Sequence, residues 1–265
     1  NLSTGQNIPL TIQYAPTAAG DHSAVLTVVD NTTRLTHTVD ITGNCMDPYI
    51  YTLPYSQNFD AVSIPNIPLD WQKHVTSTTT YAYVQTNDAG YSNPNCVGMY
   101  NAEDMSSQLF LICPPLDNSI SISSSRVCFY AKSNNQTSQL SVGVMSDPAD
   151  PTTYVETQIV QLTLQYSEQI VSFAAYTGTG RFIAFKHANI NSYETIRIDD
   201  VMLEQTPDND LAALQITGNT TPSVNSLSQY MLRVVNRGTV TQSAYQVKLY
   251  AVDGDIELAS ANGLT

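Results

Sequence analysis

Residues 193–204 read Y-E-T-I-R-I-D-D-V-M-L-E, the most informative strand pattern in the chain. Ile196 and Ile198 alternate with polar residues, which is the pattern of a strand with one face in a core. The alternation breaks at Asp199 and Asp200, and an apolar run resumes at Val201. Adjacent carboxylates are rare inside a strand unless a cation, a backbone donor or an arginine compensates them. The stretch therefore predicts the closing strand of a central sandwich, carrying a compensated acidic doublet.

The composition predicts an all-β protein and excludes several classes of partner. Charged residues make up 12% of the 265 residues, and short β-branched and aromatic segments alternate with turn residues. The formal net charge of −13 argues against nucleic acid and anionic membrane surfaces, because both require basic patches. No apolar run approaches the roughly 20 residues that a membrane-spanning helix needs. These features suit an exported protein without membrane insertion.

The spacing of strand and turn patterns divides the chain into three parts. Residues 1–45 show about three strand patterns, at 8–14, 22–29 and 35–42. Residues 46–206 hold strand patterns separated by turns every 8–15 residues, which predicts a two-sheet sandwich. Within this part, residues 74–104 form a long polar segment studded with tyrosines. Residues 207–265 show about four further strand patterns.

An ordered series of motifs in the central part resembles a known family. The series is F-D, P-x-D-W, S-S-Q-L-F-L-I-C-P-P-L-D, R-V-C-F-Y-A-K-S, Q-L-S-V-G-V-M-S-D, G-R-F-I-A-F-K-H and I-R-I-D-D-V-M-L. It is similar to the MAM-like jelly-roll domains called cleaved-adhesin or choice-of-anchor modules, which occur in secreted proteins of Bacteroidetes-type bacteria, including the adhesin regions of gingipains. The resemblance covers roughly residues 50–206 and implies a jelly roll.

Residues 1–45 contain the motifs G-Q-N-I-P-L-T-I-Q-Y-A-P and V-D-I-T-G-N-C, and residues 207–265 contain D-L-A-A-L-Q-I-T-G, Y-M-L-R-V-V-N-R-G-T and Y-Q-V-K-L-Y-A-V-D-G. In these motifs, both flanking parts resemble bacterial immunoglobulin-like domains. Residues 1–45 resemble the C-terminal half of such a repeat, and residues 207–265 resemble the first half of an adhesion-type domain. A half-sandwich leaves an apolar face and open strand edges in water. We therefore expect the two halves to pair, within one chain or between neighbouring chains. The expected contacts join Leu10, Ile12, Val25 and Val28 to Leu232, Val234, Val247 and Leu249.

The acidic doublet supports two interpretations. In jelly rolls of the resembled type, an Asp of the last strand often meets acidic or amide groups of the first strand at a calcium ion, which prefers oxygen ligands. The resemblance thus implies a calcium site formed by Asn58, Asp60, Asp199 and Asp200 if the first and last strands are adjacent. Alternatively, one Asp faces solvent and the other accepts main-chain hydrogen bonds at a β-bulge.

Four tyrosines of the long polar segment are candidate ligand-binding residues. Tyr81, Tyr83, Tyr91 and Tyr100 supply rings that stack on sugars at low entropic cost. The competing interpretation is that these rings pin a long loop to the domain. Trp71, the single tryptophan, could stack on a sugar if it were exposed, but the family resemblance implies a position in the core beside the first strand.

Catalysis is poorly supported, and we predict that the chain is not an enzyme. The sequence contains no G-x-S-x-G, H-E-x-x-H or paired-cysteine motif, and the disulfide state of Cys45, Cys96, Cys113 and Cys128 stays open. The prediction is a non-catalytic extracellular adhesin-like module that recognises glycans or host and matrix proteins. The alternative is a structural or ancillary spacer of a secreted peptidase or other hydrolase.

Overall fold

The structure, a computed structural model, describes residues 3–13, 16, 18–29, 36–250 and 256–263. The strands, numbered in chain order, are β1 Gly20–Val29, β2 Thr36–Cys45, β3 Tyr55–Gln57, β4 Gln72–Thr76, β5 Tyr83–Asp88, β6 Asn95–Tyr100, β7 Gln108–Ile112, β8 Ser125–Ser133, β9 Gln139–Met145, β10 Val155–Gln161, β11 Ser167–Ser172, β12 Phe182–His187, β13 Thr195–Gln205, β14 Leu211–Gly218, β15 Tyr230–Asn236, β16 Gln246–Tyr250 and β17 Glu257–Asn262. Short 3-10 turns occur at Ile122–Ser124 and Pro151–Thr153. The chain is therefore all-β, as predicted, and no helix of the described part is long and apolar enough to cross a membrane.

The central part is a sandwich of two antiparallel sheets. One sheet has the strand order β10-β9-β12-β7-β4. The other has the order β11-β8-β13-β6-β5, and β3 also pairs with β13. Neighbouring strands are mostly distant in sequence, so the chain crosses repeatedly between the two sheets, as a jelly roll does. The predicted two-sheet sandwich is confirmed, and the first strand of the domain lies beside the last.

The core lies between the two sheets and is built by alternation along each strand. On β9, Val142 and its apolar neighbours two residues away on each side are fully buried, as their spacing predicts. Phe129 and Phe185 meet across the core at a ring-centroid distance of 5.0 Å. Trp71 is 3% exposed and packs edge-on against Phe59 at 5.2 Å, which confirms its predicted core position.

The doublet of β13 sits at a β-bulge. The register with β8 shifts between Asp199 and Met202, so that the strand buries Ile198 before the shift and Val201 after it. Asp200 adopts φ 46°, in the left-handed region that short polar residues tolerate better than most. The bulge thereby inserts both carboxylates without turning the apolar side chains of β13 away from the core.

Two predictions of secondary structure were wrong. Residues 74–104, for which no strand was predicted, contain the end of β4 and the whole of β5 and β6, whose inward residues Val84, Val97 and Met99 are buried. The polar residues that suggested a loop occupy the outward positions of these strands. Residues 8–13 form no strand, because no described segment pairs with them, and Tyr14 lies outside the described residues.

The flanking parts form separate hairpins. Among the described residues, β1 pairs with β2, β14 with β15 and β16 with β17, each as a two-stranded sheet. Leu10, Ile12, Val25 and Val28 remain 54–76% exposed, so the expected pairing of the two halves within one chain is not seen. In each hairpin, the backbone hydrogen bonds instead join the two strands of that hairpin to each other. Pairing between chains and the immunoglobulin-like character of the flanks stay predictions.

A buried arginine attaches the β14–β15 hairpin to the sandwich. The guanidinium of Arg126 on β8 donates from Nε to Glu204 at 2.7 Å and from Nη1 to Asp210 at 2.5 Å. Asp210 immediately precedes β14, so one side chain connects the last strand of the jelly roll with the first strand of the next part. The position of this hairpin is therefore fixed by a charge-assisted contact rather than by a shared core.

Candidate functional site

The outer face of the six-stranded sheet carries a row of aromatic and cationic side chains. The strand register places Tyr83 beside Tyr100, and in the next row it places Gln85 beside Gly98, Gly98 beside Arg197, and Arg197 beside Lys132. The neighbours of these residues along each strand are buried in the core, and side chains alternate between the two faces of a sheet. The side chains of Tyr83, Gln85, Tyr100, Lys132 and Arg197 therefore point away from the core. We call Tyr83, Gln85, Tyr100, Lys132 and Arg197 the platform. All five platform side chains are partly exposed.

The two rings of the platform pack against each other, and Asn87 on the same sheet face orients Tyr83. Tyr83 and Tyr100 form a cross-strand pair with centroids 5.4 Å apart and ring planes tilted by 42°. Asn87 donates from Nδ2 to the Tyr83 hydroxyl at 3.4 Å and accepts from Gln85 Nε2 at 3.3 Å. Gly98 leaves the space that Asn87 fills, since a Cβ there would lie 2.2 Å from Asn87 Nδ2. The platform is thus preorganised by side chains of its own strands.

The loop joining β5 to β6, residues 89–94, folds back across the same sheet face. The carboxylate of Asp199 accepts the backbone N–H groups of Tyr91 at 2.6 Å and Ser92 at 3.1 Å through Oδ2, and that of Asp200 at 2.8 Å through Oδ1. The Ser92 hydroxyl also donates to Asp200 Oδ1 at 2.8 Å. Asp199 therefore accepts main-chain hydrogen bonds at a β-bulge, as the alternative to the calcium interpretation of the doublet predicted.

Asp199 is a fully buried carboxyl, and burial dominates its titration. Removal from water raises the pKa of Asp199 to about 7, although the three N–H donors act in the opposite direction. The group therefore carries only part of a negative charge near neutral pH. Its oxygens are occupied by N–H groups, and this makes it a structural anchor for the loop.

The other residues of the predicted calcium site lie beside the same loop. Asp60 accepts the backbone N–H of Asn95 at 3.1 Å and the side-chain amide of Asn58 at 2.9 Å. The pairing of β3 with β13 brings this segment next to the doublet, as the calcium prediction requires. Within the part of the chain that the structure describes, no group of three or more His, Cys, Asp or Glu side chains is placed to hold a metal ion. Calcium at these residues stays a prediction.

The four predicted tyrosines do not form one cluster. Tyr83 and Tyr100 pair on the platform, whereas Tyr91 stacks on Tyr130 of β8 with centroids 3.7 Å apart and planes within 7°. Tyr166 meets Tyr91 edge-on at 5.7 Å and donates its hydroxyl to the carbonyl of residue 89 at 3.0 Å. Tyr81 is 74% exposed and makes no ring contact with the described residues. Tyr91, Tyr130 and Tyr166 thus form a wall at one end of the platform.

A cavity of about 470 Å³ lies on the other side of this wall. It is lined by Asn58, Tyr130, Glu168, Asp200 and Met202, among others. Its charged lining is acidic, in contrast to the cationic end of the platform. The folded loop therefore divides the sheet face into a cationic part and an acidic part.

Three of the five platform residues were not predicted from the sequence as binding residues. Gln85, Lys132 and Arg197 lie on three different strands, and only the register brings them together. Their alternation with buried neighbours marks them as outward-facing, but it does not indicate which strands are adjacent. Cys45, Cys96, Cys113 and Cys128 carry free thiols, and all of them except Cys45 are buried.

Comparison with known proteins finds solved structures that are similar to this chain, but it assigns the chain to no family. No protein-family model and no curated protein matches the chain. The K2 cleaved adhesin domain of Lys-gingipain aligns with 57% of the chain and 99% of its own length, at a TM-score of 0.47 and 12% identity. The K1 domain from Porphyromonas gingivalis W83 aligns with 58% of the chain and 99% of its own length, at 0.46 and 15%. The CBM22-1 xylan-binding domain from Paenibacillus barcinonensis aligns with 57% of the chain and 92% of its own length, at 0.37 and 10%. Likeness at this level identifies no ligand for the chain.

Proposed function

We propose that the chain is a non-catalytic, extracellular binding module and that its platform binds a carbohydrate. The observation that carries the proposal is the Tyr83–Tyr100 pair, two adjacent and partly exposed rings held on the rigid strands β5 and β6. Sugar rings present C–H faces that pack against aromatic rings, while their hydroxyl groups require polar partners at the edges. Gln85, Lys132 and Arg197 supply such partners in the adjacent row.

The platform suits binding better than catalysis. None of its five residues is a carboxylate, a cysteine or a histidine, so it supplies neither the paired carboxylates of a glycoside hydrolase nor a nucleophile with its base. The nearest acidic side chain along β13, Asp199, is covered by the loop and occupied by backbone N–H groups. The preorganised rings lose little rotamer entropy on contact with a ligand, which favours affinity.

The test is a binding panel with matched aromatic variants. The whole chain is measured by titration calorimetry against xylan, mannan, cello-oligosaccharides, polygalacturonate and chondroitin sulfate. We expect at least one of these to bind, and Tyr83→Ala or Tyr100→Ala to weaken that binding about tenfold, equivalent to about 1.4 kcal/mol. Tyr49→Ala is the control, because Tyr49 is an exposed ring outside the platform.

Two results would contradict the proposal. One is the absence of binding to every member of the panel. The other is binding that both platform variants leave unchanged, or that Tyr49→Ala weakens as much as they do. Binding to matrix proteins without any glycan binding would favour the protein-recognition alternative and remove the platform from the account.

A further inference from the structure

Two cationic side chains of the platform stand side by side without an anionic partner. Arg197 on β13 lies directly opposite Lys132 on β8, and both point to the outer face. Neighbouring strands are about 4.8 Å apart, so the two cationic groups can reach the same ligand atom or two atoms of one sugar. The chain has only ten Lys and Arg against 23 Asp and Glu, so two adjacent unpaired cations are unexpected.

Arg197 is left unsatisfied. Its Nε is buried and has no hydrogen-bond partner, and the guanidinium makes no hydrogen bond or ion pair with any described residue. Asp199, two residues along the same strand, would be the natural partner, but its oxygens accept the N–H groups of the folded loop. A partly buried guanidinium without a partner destabilises the free protein, because its lost hydration is not replaced.

Lys132 is also available for a ligand. Its Nζ lies 4.4 Å from the ring centroid of Tyr166, a cation–π contact that positions the ammonium without neutralising it. The acidic side chains Glu168 and Asp200 line the cavity beyond the tyrosine wall. Asp199, the acidic side chain nearest to Arg197 along β13, is buried, and its oxygens accept the backbone N–H groups of the folded loop. Arg197 and Lys132 are therefore the charged side chains that the platform presents to a ligand.

We propose that the carbohydrate bound by the platform is acidic, with a carboxylate or sulfate group held between Arg197 and Lys132. This inference rests on the proposed function, since it specifies the ligand of the same site. The planar guanidinium matches a carboxylate or sulfate through two parallel N–H···O bonds, and the lysine adds a point charge. The stacked sugar ring lies on Tyr83 and Tyr100, one row away, so its acidic substituent reaches the cations.

The net charge of −13 does not prevent such binding. Charges separated by more than about 8 Å are largely screened at physiological ionic strength, so the distant acidic residues contribute little at the platform. The contact with the two cations is short-range and partly desolvated, and it persists under the same conditions. Higher salt is expected to weaken binding of an acidic glycan and to leave binding of a neutral glycan nearly unchanged.

The experiment compares matched acidic and neutral polymers on the whole chain. The probes are polygalacturonate, its fully methyl-esterified form, dextran sulfate and dextran. The variants are Arg197→Gln and Lys132→Met, and the control is Lys248→Met, which removes a cation that pairs with Glu257 on a terminal hairpin. We expect the acidic member of at least one pair to bind more tightly than its neutral counterpart. Each platform variant should weaken that binding about tenfold, while the control leaves it unchanged.

The outcomes separate this inference from the proposed function. Equal binding of acidic and neutral members, or acidic binding that neither platform variant weakens, overturns the inference while the platform can still bind neutral sugars. Preference for polygalacturonate identifies a carboxylate, and preference for dextran sulfate identifies a sulfate. As a folding check, Arg197→Gln should keep or raise the Tm, because it removes an unsatisfied guanidinium; a lower Tm would show that Arg197 has a structural partner and overturn the argument.

Discussion

Replacing Asp199 with alanine removes the side chain that holds the loop of residues 89–94 on the sheet face. Three backbone N–H groups, those of Tyr91, Ser92 and Asp200, lose their acceptor at once. The methyl group of alanine cannot replace any of these bonds. We expect the loop to detach partly and the jelly roll to lose stability.

The size of the loss follows from the number of donors that stay buried. A buried N–H group without a partner costs about 1–3 kcal/mol. The exposed ring of Tyr91 indicates that water reaches part of the loop once it loosens, so we count two of the three donors at about 1.5 kcal/mol each. The expected loss is about 3 kcal/mol, which lowers the Tm of a domain of this size by about 6–12 °C.

The assay is urea denaturation at neutral pH in the presence of EDTA, so that a bound cation contributes nothing. Asp200→Asn is the control, because asparagine tolerates the φ of 46° and keeps an acceptor for the Ser92 hydroxyl. We expect the control to lose less than about 1 kcal/mol. A loss for Asp199→Ala that is no larger than the control's would refute the role of Asp199 as the anchor of the loop.

Three further predictions concern acid stability, the loop and calcium. His187 is buried and accepts the Asn189 N–H at Nδ1, and burial lowers its pKa, so its own contribution to stability should fall as pH drops below about 6.5. Asp199 has a raised pKa that acts in the opposite direction, but it is present in both proteins, so the quantity to measure is the difference in urea midpoint between the wild type and His187→Gln. This difference should shift against the wild type as pH falls, and a difference that does not depend on pH would contradict the prediction. Gly90→Ala should lower the free energy of unfolding by about 1–3 kcal/mol, because the added Cβ would lie 2.2 Å from the backbone oxygen of Ser92. The control, Gly43→Ala, places its Cβ where no atom lies within 4 Å, and it should lower the free energy of unfolding by less in the same urea denaturation assay. Calcium at Asn58, Asp60, Asp199 and Asp200 predicts that EDTA lowers the Tm and that Asp199→Ala removes this effect; an unchanged melting curve ends that prediction.

Much of the sandwich could be predicted from the sequence because its strands alternate cleanly. Leu140, Val142 and Val144, and likewise Ile196 and Ile198, recur at every second position, and the structure forms strands there with these side chains buried. β5 and β6 were missed because their outward residues are tyrosine, glutamine, asparagine and glycine, which are also typical of loops. Val84 with Thr86, and Val97 with Met99, were the available signals, since all four are buried at a spacing of two.

The site was predictable only in part, since it depends on which strands are neighbours. Tyr83 and Tyr100 were predicted as binding residues, but their pairing requires the register of β5 with β6. Arg197 and Lys132 lie 65 positions apart in sequence, and no local pattern links them. Asp199 was singled out correctly as a compensated carboxylate, but the sequence could not distinguish a cation from the backbone donors of a loop 107 positions away.

The most direct measurement of the central claim is a crystal structure of the chain with the tightest-binding oligosaccharide of the panel. We expect a sugar ring stacked on Tyr83 and Tyr100, with an acidic substituent within hydrogen-bond distance of Arg197. A ligand bound in the acidic cavity, on a terminal hairpin or anywhere else off the platform would contradict it.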